Sequence, residues 1–165
     1  MIHKITLKDH KKHKSKLLKL IDDMPKISLV DSGEKVDKSD WLLLSNYKRD
    51  YWHYFADNLL EHFWIDMKKR YDGELKIINF WFHQYNKDNH YNWHTHPDSH
   101  FSSVYFLELP KKDQITEFKD GTKVQAKEGD IITFPGYALH RSPINLTNDR
   151  KTTIIFNSSV WPLTN

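Results

Sequence analysis

From Leu75 to the end of the chain, helical spacing gives way to short β-rich runs separated by turn residues. These runs cover residues 75–85, 91–96, 101–109, 115–118, 123–126, 130–134 and 151–160. Strands this short, following one another through tight turns, bury their apolar faces only by stacking as two sheets, and this predicts a jelly-roll or cupin-like sandwich, the double-stranded β-helix. No internal repeat competes with that reading.

The first half of the chain reads differently. Leu17, Leu18, Leu20, Ile21 and Met24 form one apolar stripe on a short helix that Pro25 ends. A polar, turn-rich stretch from Asp31 to Asp40 follows, then a short extended segment at Trp41–Leu44. Tyr47, Tyr51, Tyr54, Phe55, Leu59, Phe63, Trp64 and Met67 recur at three- and four-residue intervals until Asp72-Gly73, which predicts one long helix bracing a sheet. The expected fold class is therefore α+β. Residues 1–165 are read as one domain, with 1–73 as helical support and 74–165 as the jelly-roll core.

The chain has no cysteine, which excludes disulfides and thiolate metal sites, so any metal must be held by imidazole and oxygen; iron or manganese is favoured over structural zinc. The net charge is only +3, and much of the excess lies in the first twenty residues, where Lys4, Lys8, Lys11, Lys12, Lys14, Lys16 and Lys19 accompany His3, His10 and His13. This basic start is read as a solvated helix face with a frayed terminus rather than as a nucleic-acid contact. The only early apolar run is short, interrupted by Lys19 and followed by Asp22-Asp23, and no stretch approaches the roughly 20 apolar residues of a membrane span. A cytoplasmic protein that engages no membrane is expected.

Two segments carry the chemistry. In Asn92-Trp93-His94-Thr95-His96-Pro97-Asp98, strand alternation places His94, His96 and Asp98 on one face. In Gly129-Asp130-Ile131-Ile132-Thr133-Phe134-Pro135, a tight turn leads into an apolar strand that ends at a proline and delivers His140 just beyond it. Two imidazoles and a carboxylate on one face of an ion leave positions open for substrate and oxygen, the facial arrangement of non-haem Fe(II) oxygenases. Arg150 opens the last strand with Thr152 two residues later on the same face, a guanidinium and a hydroxyl suited to gripping a carboxylate.

From about Ile77 to Ser158 the sequence resembles 2-oxoglutarate/Fe(II)-dependent oxygenases. Tyr85, five residues, Tyr91, two residues and His94 are similar to the approach to the first iron ligand in prolyl 4-hydroxylase-like members. His94-Thr95-His96-Pro97, Ser102-Ser103-Val104-Tyr105-Phe106-Leu107, the segment from Gly129 to Pro135, and Arg150-Lys151-Thr152-Thr153-Ile154-Ile155-Phe156-Asn157 resemble a group of small oxygenases of that superfamily. The resemblance implies that His94 and His140 bind Fe(II), that Arg150 pairs with the distal carboxylate of 2-oxoglutarate, and that Tyr85 and Thr152 hydrogen-bond this cosubstrate. It also implies O2 as a reactant, ascorbate as a reductant, and hydroxylation of a C–H bond coupled to decarboxylation of 2-oxoglutarate to succinate and CO2. The prime substrate would be a protein or peptide side chain or a small molecule, and the assembly a homodimer paired through terminal helices.

The sequence departs from the superfamily at the second ligand, where His96 stands in place of an Asp or Glu. A three-histidine site, His96 and Asp98 working with His140, and His94 and His140 joined by Asp98 all remain open. A cupin-type isomerase or 2-oxoglutarate-independent dioxygenase is the competing expectation, although His100 stands where the cupin glutamate belongs and Arg150 would then have no task. A metal-free jelly roll that binds sugar or peptide is the third.

Overall fold

A computed structural model describes residues 2–31, 33–110 and 115–162. In chain order the elements are β1 (His3–Thr6), α1 (His10–Asp22), β2 (Leu29–Asp31), β3 (Glu34–Val36), β4 (Lys38–Ser39), α2 (Asp50–Asn58) and α3 (Leu60–Arg70). They continue with β5 (Glu74–Tyr85), β6 (His90–His94), β7 (Phe101–Glu108), β8 (Glu117–Phe118), β9 (Asp130–Pro135), β10 (His140–Ser142) and β11 (Lys151–Trp161). A six-stranded sheet of order β1-β9-β7-β11-β5-β4 faces a five-stranded sheet of order β2-β3-β6-β10-β8, and every pairing is antiparallel. This is the expected α+β double-stranded β-helix, with helices against the outer face of the larger sheet.

Alternation along the central strands produces two cores, one on each face of that sheet. Phe82, Tyr105, Leu107, Ile131, Ile154 and Phe156 point outward to meet Leu17 and Ile21 of α1, Tyr51 and Phe55 of α2, and Phe63 and Met67 of α3. Trp81, Val104, Phe106, Ile132, Phe134 and Ile155 point inward toward the smaller sheet and Phe118. Trp52 stacks on Phe80 at 4.0 Å between centroids, and Phe63 meets Phe156 edge-on at 5.0 Å. The aromatic stripe is thus core packing, as its spacing suggests.

The single long helix expected from Tyr47 to Met67 is instead two, broken at Leu59, whose backbone leaves helical geometry at φ −129°. Leu59 and Leu60 are both buried at the break and anchor the junction of the two helices in the core. The Asn58 amide also bonds the Tyr54 carbonyl and terminates α2. Residues 1–73 are not purely helical support, because β1 and β4 form the edges of the larger sheet and β2 and β3 extend the smaller one. Strands of two to four residues whose buried side chains include His3, Lys38 and Ser39 show no apolar alternation, so their sequences read as polar turns. Trp41–Leu44 is a turn rather than extended, residues 123–126 form no strand, and of 115–118 only β8 pairs.

The basic N-terminal segment sorts by residue type. Its lysines are exposed or half-buried, whereas His3, His10 and His13 are buried and bond the hydroxyls of Tyr71, Tyr105 and Tyr54 at 2.9, 2.6 and 2.7 Å. Buried Lys38 of β4 donates to the Ile21 and Asp22 carbonyls, both at 2.8 Å, and so caps the C-terminus of α1. No helix among the described residues is long and apolar enough to cross a membrane.

Beyond β4, Asp40 takes over from backbone pairing. Its carboxylate accepts from the Phe82 amide at 2.9 Å, Arg49 Nε at 2.7 Å and the Tyr51 hydroxyl at 2.8 Å. Arg49 in turn donates to the Leu43, Leu44 and Tyr47 carbonyls, which clamps the 40–49 loop against β5. Replacing Asp40 with Ala leaves the buried Arg49 without its counter-ion and lowers unfolding free energy by about 3–5 kcal/mol, measured by urea denaturation.

Candidate metal centre

The histidines converge through the pairing of β6 with β10, in which His94 stands directly opposite His140. His96 arrives by another route. The strand ends at His94, and the following turn is held by the His96 amide on the Gly136 carbonyl at 2.7 Å and the Gly136 amide on the His100 carbonyl at 2.9 Å. A Cβ on residue 136 would lie 2.2 Å from the Ser99 carbonyl oxygen and 2.5 Å from that of His96, so only glycine permits this contact. Ring centroids are 4.2 Å apart for His94 and His140, 4.9 Å for His94 and His96, and 5.2 Å for His96 and His140.

Their tautomers suit a metal. His94 Nδ1 donates to the Asn92 carbonyl at 2.7 Å, and His140 Nδ1 donates to the Ala138 carbonyl at 2.8 Å, which leaves each Nε2 as a bare lone pair. His96 Nε2 is buried and has no hydrogen-bond partner among the described residues. Burial, aided by the neighbouring His94, holds the His140 pKa down at about 3 and that of His96 at about 4; burial also lowers that of His94. All three rings are therefore neutral near pH 7. One donor nitrogen from each lies within 4.8 Å of the others, so His94, His96 and His140 could hold an ion. Asp98 lines the same cavity but stands outside this group: the turn past His94 is pinned at His96 by the Gly136 carbonyl, and Asp98 lies two residues farther on and is exposed.

The cavity, of about 290 Å³, runs along the β5–β11 ladder. Successive rungs facing it are Tyr85 with Lys151, His83 with Thr153, Trp81 with Ile155, and Asn79 with Asn157. Arg150 and Thr152 share a face, as expected, but it is the opposite one. Arg150 bonds Glu108 at 2.8 Å and Asp22 at 3.0 Å, and the Thr152 hydroxyl bonds Glu108 as well. Neither lines the cavity. Alternation turns odd-numbered residues of β11 inward, so the cation in the cavity wall is Lys151. Its ammonium nitrogen lies 2.9 Å from Ser142 Oγ and 5.1 Å from the Tyr85 ring centre, and burial lowers its pKa to about 7.

Tyr85 does line the cavity, its hydroxyl sharing a 2.8 Å hydrogen bond with His83 Nδ1, and burial raises its pKa. His83 and Trp81 also belong to the wall, whereas Trp93, His100 and Tyr137 do not. Sequence inspection missed Lys151. Residues 151–159 are all buried, on both faces, and leave no alternation from which to read direction.

No protein-family model matches the sequence, and no curated protein matches it. Solved structures do. A viral collagen prolyl hydroxylase from Paramecium Bursaria Chlorella virus-1, in complex with 2OG, aligns over 96% of both chains at 14% identity and TM-score 0.67. The chain has the fold of the 2-oxoglutarate/Fe(II) oxygenases. Within that fold, the alpha-ketoglutarate-dependent epimerase SnoN of nogalamycin biosynthesis aligns over 96% of this chain and 77% of its own, at 11% identity and TM-score 0.73. A Trichoplax adhaerens prolyl hydroxylase bound to a hypoxia inducible factor peptide aligns over 96% and 83%, at 12% identity and TM-score 0.63. The oxygenase fold therefore spans nearly all the chain, including the strands of its first half.

Replacing any one of His94, His96 or His140 with Ala should lower Co(II) affinity by more than about 100-fold in a spectroscopic titration, since a direct ligand outweighs outer-shell partners. Asp98→Ala should change it by less than about threefold, the reach of an exposed charge.

Proposed function

We propose that this protein is an Fe(II)- and 2-oxoglutarate-dependent oxygenase that hydroxylates a C–H bond of its substrate. The observation that carries the reading is the placement of three imidazoles from the smaller sheet and its following turn over a cavity whose facing wall, on the larger sheet, ends in a buried lysine. His94, His96 and His140 would hold the metal. Bound iron with 2-oxoglutarate and O2 supplies oxidative decarboxylation to succinate and CO2, coupled to oxidation of the substrate.

The chain's own residues provide the rest. Lys151, in place of Arg150, takes the distal carboxylate of 2-oxoglutarate, with the Ser142 and Tyr85 hydroxyls beside it as further hydrogen-bonding groups. Three neutral imidazoles bring no negative charge to the ion, so a dianionic cosubstrate compensates both the metal and the lysine. Backbone acceptors on both Nδ1–H groups fix ring orientation and strengthen the Nε2 donors. Trp81, Val104 and Ile155 provide an apolar wall that keeps water away.

The all-histidine donor set also suits a cupin-type dioxygenase that needs no 2-oxoglutarate. The two readings differ in what they ask of Lys151. In the first, anaerobic Fe(II)-loaded protein given O2 converts 2-oxoglutarate to succinate without added substrate, and both His140→Ala and Lys151→Met abolish this turnover while Arg150→Ala retains it. Loss in Arg150→Ala but not in Lys151→Met would return the anchor to Arg150, and absence of 2-oxoglutarate binding alongside His140-dependent iron binding would favour the cupin chemistry.

A pH dependence follows from the lysine. Burial lowers the pKa of Lys151 to about 7, and pairing with a carboxylate needs its protonated form. The dissociation constant for 2-oxoglutarate, followed by calorimetry, should be flat below pH 7 and rise about tenfold per unit above it in the parent, and lose this slope in Lys151→Met.

A further inference from the structure

The cavity is longer than the cosubstrate reading uses, and its two halves differ in charge. Lys151 and Asn157 are six residues apart on β11, about 20 Å along an extended strand. The histidine triad sits over the middle. The His96 ring is 5.6 Å from that of Trp81, and the His94 ring is 4.7 Å from that of Tyr91, which stacks on His83. Lys151, the buried cation of the wall, lies on one side of the triad, because β10 runs from His140 to Ser142, the partner of Lys151; Arg141 between them is paired with Glu117 at 2.7 Å.

Asp98, the one carboxylate lining the cavity among the described residues, lies on the other side. The chain beyond it docks at the far end of β11, where the His100 amide meets Ser159 Oγ at 3.2 Å and the Val160 amide meets His100 Nδ1 at 3.1 Å. The same half holds Trp41, 48% exposed, its ring 4.6 Å from that of Trp81 in a near-perpendicular corner. The Asp40 clamp fixes this tryptophan in place. At the floor, Asn157 donates to Asn79 at 2.8 Å, while its Oδ1 has no partner among the described residues. Aromatic faces, a carboxylate and a spare amide oxygen form a lining that accepts hydrogen bonds and attracts positive charge.

We propose that this half of the cavity selects a substrate bearing a cationic aliphatic group, an ammonium or guanidinium, with Asp98 as counter-ion and Trp41 and Trp81 packed against the alkyl chain and its charged head. The proposal rests on the oxygenase reading for what then happens to that chain, but not for the binding itself, since the corner is complete without metal or cosubstrate. An alkyl chain anchored by its charged end beside Asp98 reaches back past Trp81 toward the histidines, so a methylene, and not the nitrogen, is presented for oxidation.

The test is titration of the protein with Nα-acetyl-lysinamide and Nα-acetyl-argininamide against their neutral counterparts, Nα-acetyl-norleucinamide and Nα-acetyl-citrullinamide, read by tryptophan fluorescence and calorimetry. It is run on the Co(II) protein with 2-oxoglutarate under anaerobic conditions and repeated without either. The cationic probes should bind roughly tenfold more tightly than the neutral ones, the sum of a cation–aromatic contact and a partly exposed ion pair. Asp98→Asn should cut that preference to about threefold, the share of the cation–aromatic contact, while leaving the neutral probes unaffected, and Trp41→Ala should weaken both kinds. Equal binding of charged and neutral probes, a preference undiminished in Asp98→Asn, or no binding of the cationic probes at millimolar concentration overturns the proposal. Binding of 2-oxoglutarate in the same samples reports separately on the oxygenase reading.

Discussion

The ladder between β5 and β11 is the constraint on which the rest of the molecule depends. It lies inside the larger sheet, with helices on one side and the smaller sheet on the other, so both faces of β11 are buried and every side chain from Lys151 to Ser159 is committed to one core or the other. Even-numbered residues anchor the helices through Ile154 and Phe156. Odd-numbered residues build the cavity wall. A one-residue slip would exchange the two sets and place Arg150 and Thr152 in the cavity, with Lys151 under the helices. The apolar demand of the helix-facing core thereby sets which cation reaches the site.

The smaller sheet works by a different device. Its strands are short, and it contributes donors rather than a thick core: β6 and β10 pair so that His94 meets His140, and the Gly136 contact folds the following turn to bring in His96. Burial keeps all three rings neutral, and backbone carbonyls select the tautomers of His94 and His140. The same burial that deprotonates the rings also lowers the pKa of Lys151. Desolvation thus prepares both kinds of group for ligands that restore what water would have supplied, lone-pair acceptance in one case and a counter-charge in the other.

Much of the architecture was legible because it rests on local pattern. Period-two runs after Leu75 mark the sandwich, the aromatic stripe marks the helix-facing core, and the residue types of the His94–Asp98 and His140 segments mark the site. The failures have physical causes as well. The break at Leu59 leaves the three- and four-residue apolar spacing intact on both sides, so the spacing does not reveal it. The short strands β1 to β4 escape notice because two to four residues, several of the buried ones polar, leave no apolar alternation to read. His3, His10 and His13 look like part of a solvated basic face until their tyrosine partners are in view, and those partners are 41 to 95 residues away in sequence.

The sequence by itself determined the fold class, the absence of thiolate ligands and which histidines to look for in one place, because composition and short-range periodicity depend only on neighbouring residues. Tertiary structure alone decided that His96 and not Asp98 joins the triad, and that Lys151 and not Arg150 faces the cavity. The first depends on where a strand stops and a turn packs against Gly136. The second depends on the parity of a strand buried on both faces, and a uniformly buried strand carries no record of which side is which until its neighbours are in place.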